Sequence, residues 1–232
     1  MPARVPAPPE VARLIFGAAL PGAEAYAGLL AGPGVERGVL GPGETERIWD
    51  RHLLNCAVVA ELVPSSGELV DIGSGAGLPG IVLAMVLPDV HVVLVESMTR
   101  RTTFLAECVE ALALNNVDVR TGRAEDMAGR LTADVVTARA VARLDRLAVL
   151  AAGVAKPGGL VLAMKGAAAA AEVAEAGPVL RRLGATGVEI VSAGAGLLSE
   201  PTTIVRFRTS RDPQRAGGST RARGHKRSRG RP

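Results

Sequence analysis

Residues 69–80 read LVDIGSGAGLPG and combine a carboxylate with glycines at every second position. Asp71 follows a short apolar run, and Gly73, Gly75 and Gly77 come directly after it. Glycines in a tight turn between a strand and a helix let a ligand lie against the backbone. A carboxylate beside such a turn suits a partly cationic ligand better than a polyphosphate. S-adenosylmethionine, with its ammonium and sulfonium groups, is such a ligand.

The same stretch has a second interpretation. Gly75, Gly77 and Gly80 satisfy the dinucleotide fingerprint G-x-G-x-x-G, and Glu96 lies about where a ribose-binding acid is expected. The offset disfavours this interpretation, because a nicotinamide fingerprint normally starts where the strand ends, and here Gly73 already does so. A nicotinamide-dependent oxidoreductase is therefore the alternative enzyme, and a thermal-shift screen with both ligands separates the two.

The composition indicates a globular protein. The chain has 232 residues, of which 48% are hydrophobic, and one domain with extensions is the simplest organisation. The two cysteines, Cys56 and Cys108, are expected to be reduced thiols in a cytoplasmic protein without a signal peptide. No apolar run approaches the length of a membrane span, so no membrane partner is expected.

Basic residues are concentrated at the end of the chain. The net charge is +4, yet residues 206–232 alone contain ten Arg or Lys and one acid. The segment 212–232 is rich in Arg, Gly and Ser, which predicts a disordered basic tail.

The rest of the chain divides into three segments. Residues 1–10 are rich in proline and predicted to be disordered, residues 11–66 form an N-terminal helical extension, and residues 67–211 form the main domain. The main domain alternates between apolar strands and amphipathic helices, which indicates an α/β fold with a mostly parallel seven-stranded sheet and helices on both faces. The predicted strands span 68–73, 91–96, 117–121, 133–138, 159–164, 187–193 and 202–209. The predicted helices between them span 79–88, 99–114, 143–154 and 167–183.

Ligands of parallel sheets bind at the carboxyl ends of the strands, so the residues there are the candidates for a site. Glu96 ends the second strand and is expected to accept hydrogen bonds from the ribose hydroxyls of an adenosine. A helix cap or a surface acid is the alternative, and the glycine turn before this strand favours the ribose role. After the third strand, the turn around Ala124 and Glu125 would offer backbone groups and a carboxylate to the adenine edge.

Two cations follow the next strands. Arg139 ends the fourth strand and Lys165 ends the fifth, so both face the same edge of the sheet. Their convergence suggests an acceptor that bears a phosphate. The alternative is that each is neutralised by an ion pair with Asp71, Glu96 or Glu125.

Several chemistries lack their usual residues. No Asn/Asp-Pro-Pro-aromatic segment follows the fourth strand, which disfavours methylation of an exocyclic amine. Neither Cys56 nor Cys108 lies near a strand end, where a pyrimidine C5 methyltransferase needs its nucleophile. The three histidines are far apart in sequence, and no His/Cys cluster has metal-ligand spacing, so no metal is expected.

The chain resembles a known family over residues 48 to 166. It is similar to the bacterial G-type methyltransferases of small-subunit ribosomal RNA, also called the glucose-inhibited division protein B family. The segments that carry the resemblance occur in order and read RHLLNC (51–56), DIGSGAGLPGI (71–81), VES (95–97), RRTTFL (100–105), GRAE (122–125), ARA (138–140) and AMKG (163–166).

The resemblance implies a class I, Rossmann-like methyltransferase fold that uses S-adenosylmethionine. The implied product is 7-methylguanine at position 527, in the helix 18 loop of 16S rRNA. The implied partner is 16S rRNA or the small ribosomal subunit, and the enzyme is expected to be a monomer. With such a partner, we interpret the basic tail as an anchor for RNA phosphates. Donor contacts in the family fall on the positions of Gly73, Leu78, Ala124, Glu125 and Arg139.

Positioning of the target nucleotide is expected from Arg139 and Lys165, with Arg123 and His52 as further candidates for RNA contacts. The family usually has a Lys-Trp-Asn…Asn-Leu segment in its N-terminal helices, which this chain lacks. Two other functions stay open. One is a methyltransferase for another RNA or a small molecule, and the other is an RNA-binding or ribosome-assembly module that does not turn over.

Overall fold

The computed structural model describes residues 5–210. The predicted basic tail, 212–232, and the first four residues of the predicted disordered segment lie outside the described residues. Residues 5–9 precede the first helix, and the Pro6 carbonyl there accepts a hydrogen bond of 2.8 Å from Nε1 of Trp49.

The prediction of a mostly parallel seven-stranded sheet is confirmed. The order of the strands is β3-β2-β1-β4-β5-β7-β6, with β1 to β5 parallel to one another and β7 antiparallel to both β5 and β6. The strands are β1 (Gly67–Ile72), β2 (Val90–Glu96), β3 (Val117–Thr121), β4 (Ala133–Arg139), β5 (Ala155–Met164), β6 (Thr186–Ala193) and β7 (Thr202–Arg208).

The fifth strand begins earlier than the sequence indicates. The run Lys-Pro-Gly-Gly at 156–159 is typical of a turn, but Ala155 already pairs with Ala133 of β4. The register shifts before Leu160 pairs with Val135, and Gly158 has a φ of +79° in the irregular stretch. The strand therefore contains an irregularity that the apolar pattern alone does not reveal.

Helices cover both faces of the sheet. They are α1 (Glu10–Phe16), α2 (Leu20–Leu29), α3 (Asn55–Ala57), α4 (Gly80–Val86), α5 (Thr99–Ala111), α6 (Leu144–Val154) and α7 (Ala169–Arg182). Successive strand residues point to opposite faces, so Leu69 packs with the N-terminal helices, α4 and α5, whereas Val70 packs with α6 and α7.

The N-terminal extension has two helical stretches. The first contains α1, a 3-10 turn, α2 and a π-helical turn that ends at Gly34. The second, called here the 42–62 segment, joins 3-10 and π-helical turns to α3. The two stretches meet where the ring of Phe16 packs edge-on against Trp49, with ring centroids 6.3 Å apart. The expectation that no apolar run approaches the length of a membrane span is wrong for Glu10–Gly34, which by length and composition alone would suffice to cross a membrane. Core helices of soluble proteins pass the same test.

The strand order reverses between β1 and β4. After β1, the chain adds β2 and β3 on one side and then returns to add β4 on the other. The carboxyl ends of β1 and β4 therefore diverge into a crevice, which is where open α/β sheets bind their ligands.

Candidate functional site

A first cleft of about 530 Å³ lies at the carboxyl ends of β1 to β4. Five of the residues predicted as site residues line it, and they are Gly73, Glu96, Arg123, Ala124 and Glu125. Other lining residues are Ile72, Val95, Ser97, Arg101, Gly122, Ala140, Val141, Ala142, Arg146 and Leu150. Near its rim, Nη2 of Arg146 lies 3.2 Å from Oε1 of Glu125, and both side chains are exposed.

The glycine turn approaches this cleft with its backbone. The amides of Gly73 and Ser74 donate to the Val95 carbonyl at 2.8 and 3.1 Å, which anchors the turn to β2. Gly73 has a φ of +65°, and a Cβ there would lie 2.7 Å from Cγ2 of Val141, which also lines the cleft. The close approach of these two segments therefore requires glycine at position 73.

The rest of the predicted turn lies behind the cleft wall. Gly75, Gly77 and Leu78 do not line the first cleft, although all three belong to the turn that shapes it. The buried hydroxyl of Tyr26, from α2, donates a short hydrogen bond to the carbonyl of Ala76 in this turn. The N-terminal extension thus contacts the turn at Ala76, which does not line the first cleft.

Glu96 is buried, with 4% of its surface exposed, and its carboxylate organises the cleft floor. Oε2 accepts from the Gly75 amide at 3.1 Å and from Nη1 of Arg101 at 3.4 Å. Oε1 accepts from the Met98 amide at 2.9 Å. The carboxylate therefore ties the glycine turn to the start of α5, and its contact with a ribose stays a prediction.

Asp71 points away from the first cleft. It is fully buried, its Oδ2 accepts from the Gly80 amide at 3.2 Å, and its Oδ1 accepts from Oγ1 of Thr137 at 3.0 Å. Burial raises the pKa of Asp71 to about 7, against the lowering effect of these hydrogen bonds. The structure thus gives Asp71 a part in joining β1, β4 and α4, and a direct contact with the donor stays a prediction.

Replacing Asp71 with Asn is expected to remove a pH dependence of stability. The folded chain binds a proton at Asp71 more tightly than the unfolded chain, whose pKa is near 3.8. Unfolding therefore releases a proton between about pH 4 and pH 7, so this group makes the free energy of unfolding fall as pH rises through that window. Urea unfolding at pH 5 and pH 7, for both proteins, measures the difference.

His52 contributes in the opposite direction, because its folded pKa is lowered from 6.5 to about 4 and its stability contribution rises with pH in that range. It does so in both proteins, so the comparison isolates Asp71. Equal pH slopes would contradict the prediction. Because the carboxylate does not line the cleft, Asp71→Asn should bind the donor normally, and lost donor binding in a folded variant would instead support a direct contact.

A second cleft of about 820 Å³ adjoins the first and contains the two predicted cations Arg139 and Lys165. Both clefts are lined by the segment 140–142, which forms the wall between them. Ala140 has a φ of +55°, a left-handed conformation that is uncommon for alanine and that clusters at functional sites. The two clefts therefore meet at a strained turn directly after β4.

Lys165 is neutralised within the protein. Its Nζ lies 2.7 Å from Oε2 of Glu172 and donates to the Ala142 carbonyl at 2.8 Å. Glu172 also accepts from the Leu144 amide at 2.9 Å, and the side chain of Lys165 is only 9% exposed. Lys165 therefore forms an ion pair, which was the alternative to a role in phosphate binding. Its partner is Glu172 and not Asp71, Glu96 or Glu125.

Arg139 lies in a different environment. No carboxylate among residues 5–210 comes within 4 Å of its guanidinium, and its contacts are with Arg51, His52 and Cys56 of the 42–62 segment. His52 is buried behind Arg139, and both of its ring nitrogens have partners, Arg139 and Glu44. A direct contact of His52 with RNA stays a prediction, as does a contact of Arg139 with the donor.

Several site residues were not identified from the sequence. Tyr26, Glu44 and Glu172 are distant in sequence from the strand ends, and no spacing rule connects them to the site. Thr137 could have been found by the rule that site residues lie at strand ends, because it lies near the end of β4 and pairs with Asp71 of β1. Over the described range, no group of three or more His, Cys, Asp or Glu is arranged to bind a metal ion.

The fold is similar to those of solved methyltransferase structures. A SAM-dependent methyltransferase from Aquifex aeolicus matches with a TM-score of 0.51 and 20% identity, covering 68% of this chain and 90% of the other. TYW2 from M. jannaschii, in complex with AdoMet, matches with a TM-score of 0.54 and 16% identity, covering 69% and 76%. At these identities the likeness concerns the fold alone.

Sequence relatives are much closer. Ribosomal RNA small subunit methyltransferase G of Thermobifida fusca (strain YX) is 47% identical over 95% of this chain and 98% of its own length. The protein of the same name from Mycobacterium sp. (strain JLS) is 52% identical over 87% and 91%. The family model for rRNA small subunit methyltransferase G matches residues 20–199. The chain therefore belongs to the rRNA small subunit methyltransferase G (GidB) family.

Proposed function

We propose that the protein transfers a methyl group from S-adenosylmethionine to N7 of guanine 527 in the helix 18 loop of 16S rRNA. Family membership supports the reaction class and the RNA. The observation that carries the proposal for this chain is the pair of clefts that meet at residues 140–142. One can take the methyl donor and the other the target nucleotide, on either side of a single turn.

The first cleft fits the donor. Gly73 leaves its floor without a side chain, Glu96 supplies a buried carboxylate, and the turn at Ala124 and Glu125 closes the far end. When bound, S-adenosylmethionine supplies an electrophilic methyl group on its sulfonium sulfur. We assign the ribose hydroxyls to Glu96 and the adenine to the side of Ala124 and Glu125.

The second cleft fits a nucleotide. No carboxylate of the described residues lies within 4 Å of the Arg139 guanidinium, so its charge suits a phosphate or the electron-rich edge of a guanine. Lys165 acts through the wall between the clefts, because it binds the carbonyl of Ala142. Guanine N7 has an in-plane lone pair and needs no deprotonation, so the main demand on the protein is alignment of the two reactants.

The test is methyl transfer to small ribosomal subunits from a strain that lacks this modification. With labelled S-adenosylmethionine, we expect 7-methylguanine in the helix 18 loop. Label on another base would agree with the proposed donor and fold but would refute guanine 527 as the target. Donor binding without labelling of either subunits or naked 16S rRNA would favour a different acceptor or a non-catalytic role in ribosome assembly.

Removal of residues 212–232 is expected to weaken RNA binding in a salt-dependent manner. This segment lies outside the described residues, and the prediction rests on its excess of Arg and Lys. Each phosphate contact releases counterions, so the plot of log affinity against log salt should become less steep in the truncated protein. Donor affinity should not change. An unchanged salt slope would refute the role of the tail as an RNA anchor.

Since the RNA substrate is in the cytoplasm, we propose that the protein is located there.

A further inference from the structure

The guanidinium of Arg139 is oriented by neutral acceptors of the 42–62 segment. Its Nη2 donates to the Arg51 carbonyl at 3.2 Å and lies 2.8 Å from Nδ1 of His52, and its Nη1 lies 3.3 Å from Sγ of Cys56. Burial raises the pKa of Cys56 to about 11, so this thiol is neutral at pH 7. Arg139 is therefore fixed in direction while its charge stays available to the second cleft.

The contact with Arg139 determines the tautomer of His52. An arginine keeps its protons at any pH at which the protein is folded, so Nδ1 of His52 must be the acceptor. The proton of the neutral ring then lies on Nε2, which donates to Oε2 of Glu44 at 2.8 Å. Burial and the charge of Arg139 lower the pKa of His52 to about 4, which agrees with a neutral ring.

Glu44 forms the outer end of this chain of hydrogen bonds. Its Oε2 also lies 3.5 Å from Nε of Arg51, and its side chain is 32% exposed. Burial opposes ionisation, but the hydrogen bond with His52 and the charge of Arg51 lower the pKa of Glu44 overall. An ionised Glu44 accepts the Nε2 proton and thereby keeps Nδ1 free to accept from Arg139.

We propose that Glu44 and His52 are positioning residues that hold the Arg139 guanidinium toward the target nucleotide. The proposal rests on the proposed function, and it gives the N-terminal extension a part in catalysis beyond packing. Loss of the His52 acceptor would remove the shorter of the two hydrogen bonds of Nη2 and leave that nitrogen only the Arg51 carbonyl, at 3.2 Å. A displacement of about 1 Å in a positioning group can reduce the rate by roughly 10²-fold.

The test uses two pairs of variants of the full chain. His52→Ala removes the acceptor, whereas His52→Asn places an amide oxygen near the position of Nδ1 and can still accept from Arg139. Glu44→Ala removes the outer acceptor, and Glu44→Gln retains an oxygen for the Nε2 proton. Glu46→Ala, an exposed acid in the same stretch, is the matched control.

The readouts are kcat and KM for small subunits, the donor Kd by calorimetry, and the affinity for a labelled helix 18 RNA. We expect His52→Ala and Glu44→Ala to lower kcat/KM for RNA by roughly 10- to 100-fold, with the donor Kd changed less than about twofold. His52→Asn and Glu44→Gln should recover most of that loss.

Two results would overturn the proposal. One is kcat/KM for RNA in a folded His52→Ala variant equal to that of the wild type. The other is a lower kcat/KM in both alanine variants that comes with an equal rise in the donor Kd and that neither conservative variant restores. That result would indicate a structural role. If the wild type itself does not methylate small subunits, the proposed function fails. In that case the affinity for helix 18 RNA tests the positioning role of Glu44 and His52, and an unaltered affinity in both alanine variants refutes that role.

Discussion

Replacement of Arg139 with Ala is expected to reduce methyl transfer by roughly 10²- to 10³-fold while leaving the donor affinity nearly unchanged. Removal of one charged or polar group aimed at the reacting centre has effects of that size. Arg139 lines the second cleft and not the first, and no carboxylate of the described part of the chain lies within 4 Å of its guanidinium. Single-turnover methylation of small subunits measures the rate, and calorimetry measures donor binding.

The control for loss of positive charge is Arg120→Ala. Arg120 is an exposed residue whose Nη2 pairs with Oδ2 of Asp118 at 2.8 Å, outside both clefts, so its removal should change the rate less than about twofold. Arg139→Lys keeps the charge but loses the planar fork, and we expect an intermediate rate. A folded Arg139→Ala variant that retains a third of the wild-type rate would contradict the assignment. A raised donor Kd would support the donor contact that the family resemblance implies.

Replacement of Gly77 with Ala is expected to weaken donor binding much more than replacement of Gly75, the preceding glycine of the turn. Gly77 has a φ of +94°, where an alanine is strained. A Cβ there would lie 2.5 Å from Cδ1 of Ile81 and 2.6 Å from the hydroxyl of Tyr26, and both side chains are fully buried. The turn must therefore shift, and we expect a loss of donor affinity of roughly 10-fold or more together with about 1–3 kcal/mol of stability.

Gly75→Ala is the matched control. Gly75 also has a positive φ, of +56°, but a Cβ there meets only the Gly73 carbonyl oxygen, at 3.8 Å. This substitution should cost about 1–2 kcal/mol of backbone strain without a steric clash. Donor titration and thermal unfolding of both variants provide the comparison. Equal donor affinities in the two variants would show that the contact between the turn and Tyr26 does not shape the donor site.

The sequence by itself determined the architecture and the position of the first cleft. Apolar runs of Val and Leu with amphipathic helices between them predicted all seven strands to within a few residues, because burial on both faces of a sheet leaves that pattern in the chain. The glycine turn and the acid Glu96 predicted this edge of the sheet, where Gly73 and Glu96 line the first cleft, since parallel strands bring their carboxyl ends together there.

Side-chain direction at that edge was decided only by the tertiary structure. Asp71, Arg139 and Lys165 all lie at strand ends, and the sequence indicates that they face one site. Asp71 turns inward because Thr137 and the Gly80 amide offer hydrogen bonds that compensate its burial. Lys165 turns to Glu172, an acid on α7 that no spacing rule connects to it.

Arg139 shows the same limit most clearly. Its cationic character and its place at the strand end are properties of the sequence, but its direction depends on His52, Glu44 and the carbonyl of Arg51. These groups lie more than 80 residues earlier in the chain and reach Arg139 only when the N-terminal extension packs against the sheet. Local patterns reflect local burial and turn geometry, whereas pairings between distant segments are decided by packing of the complete chain.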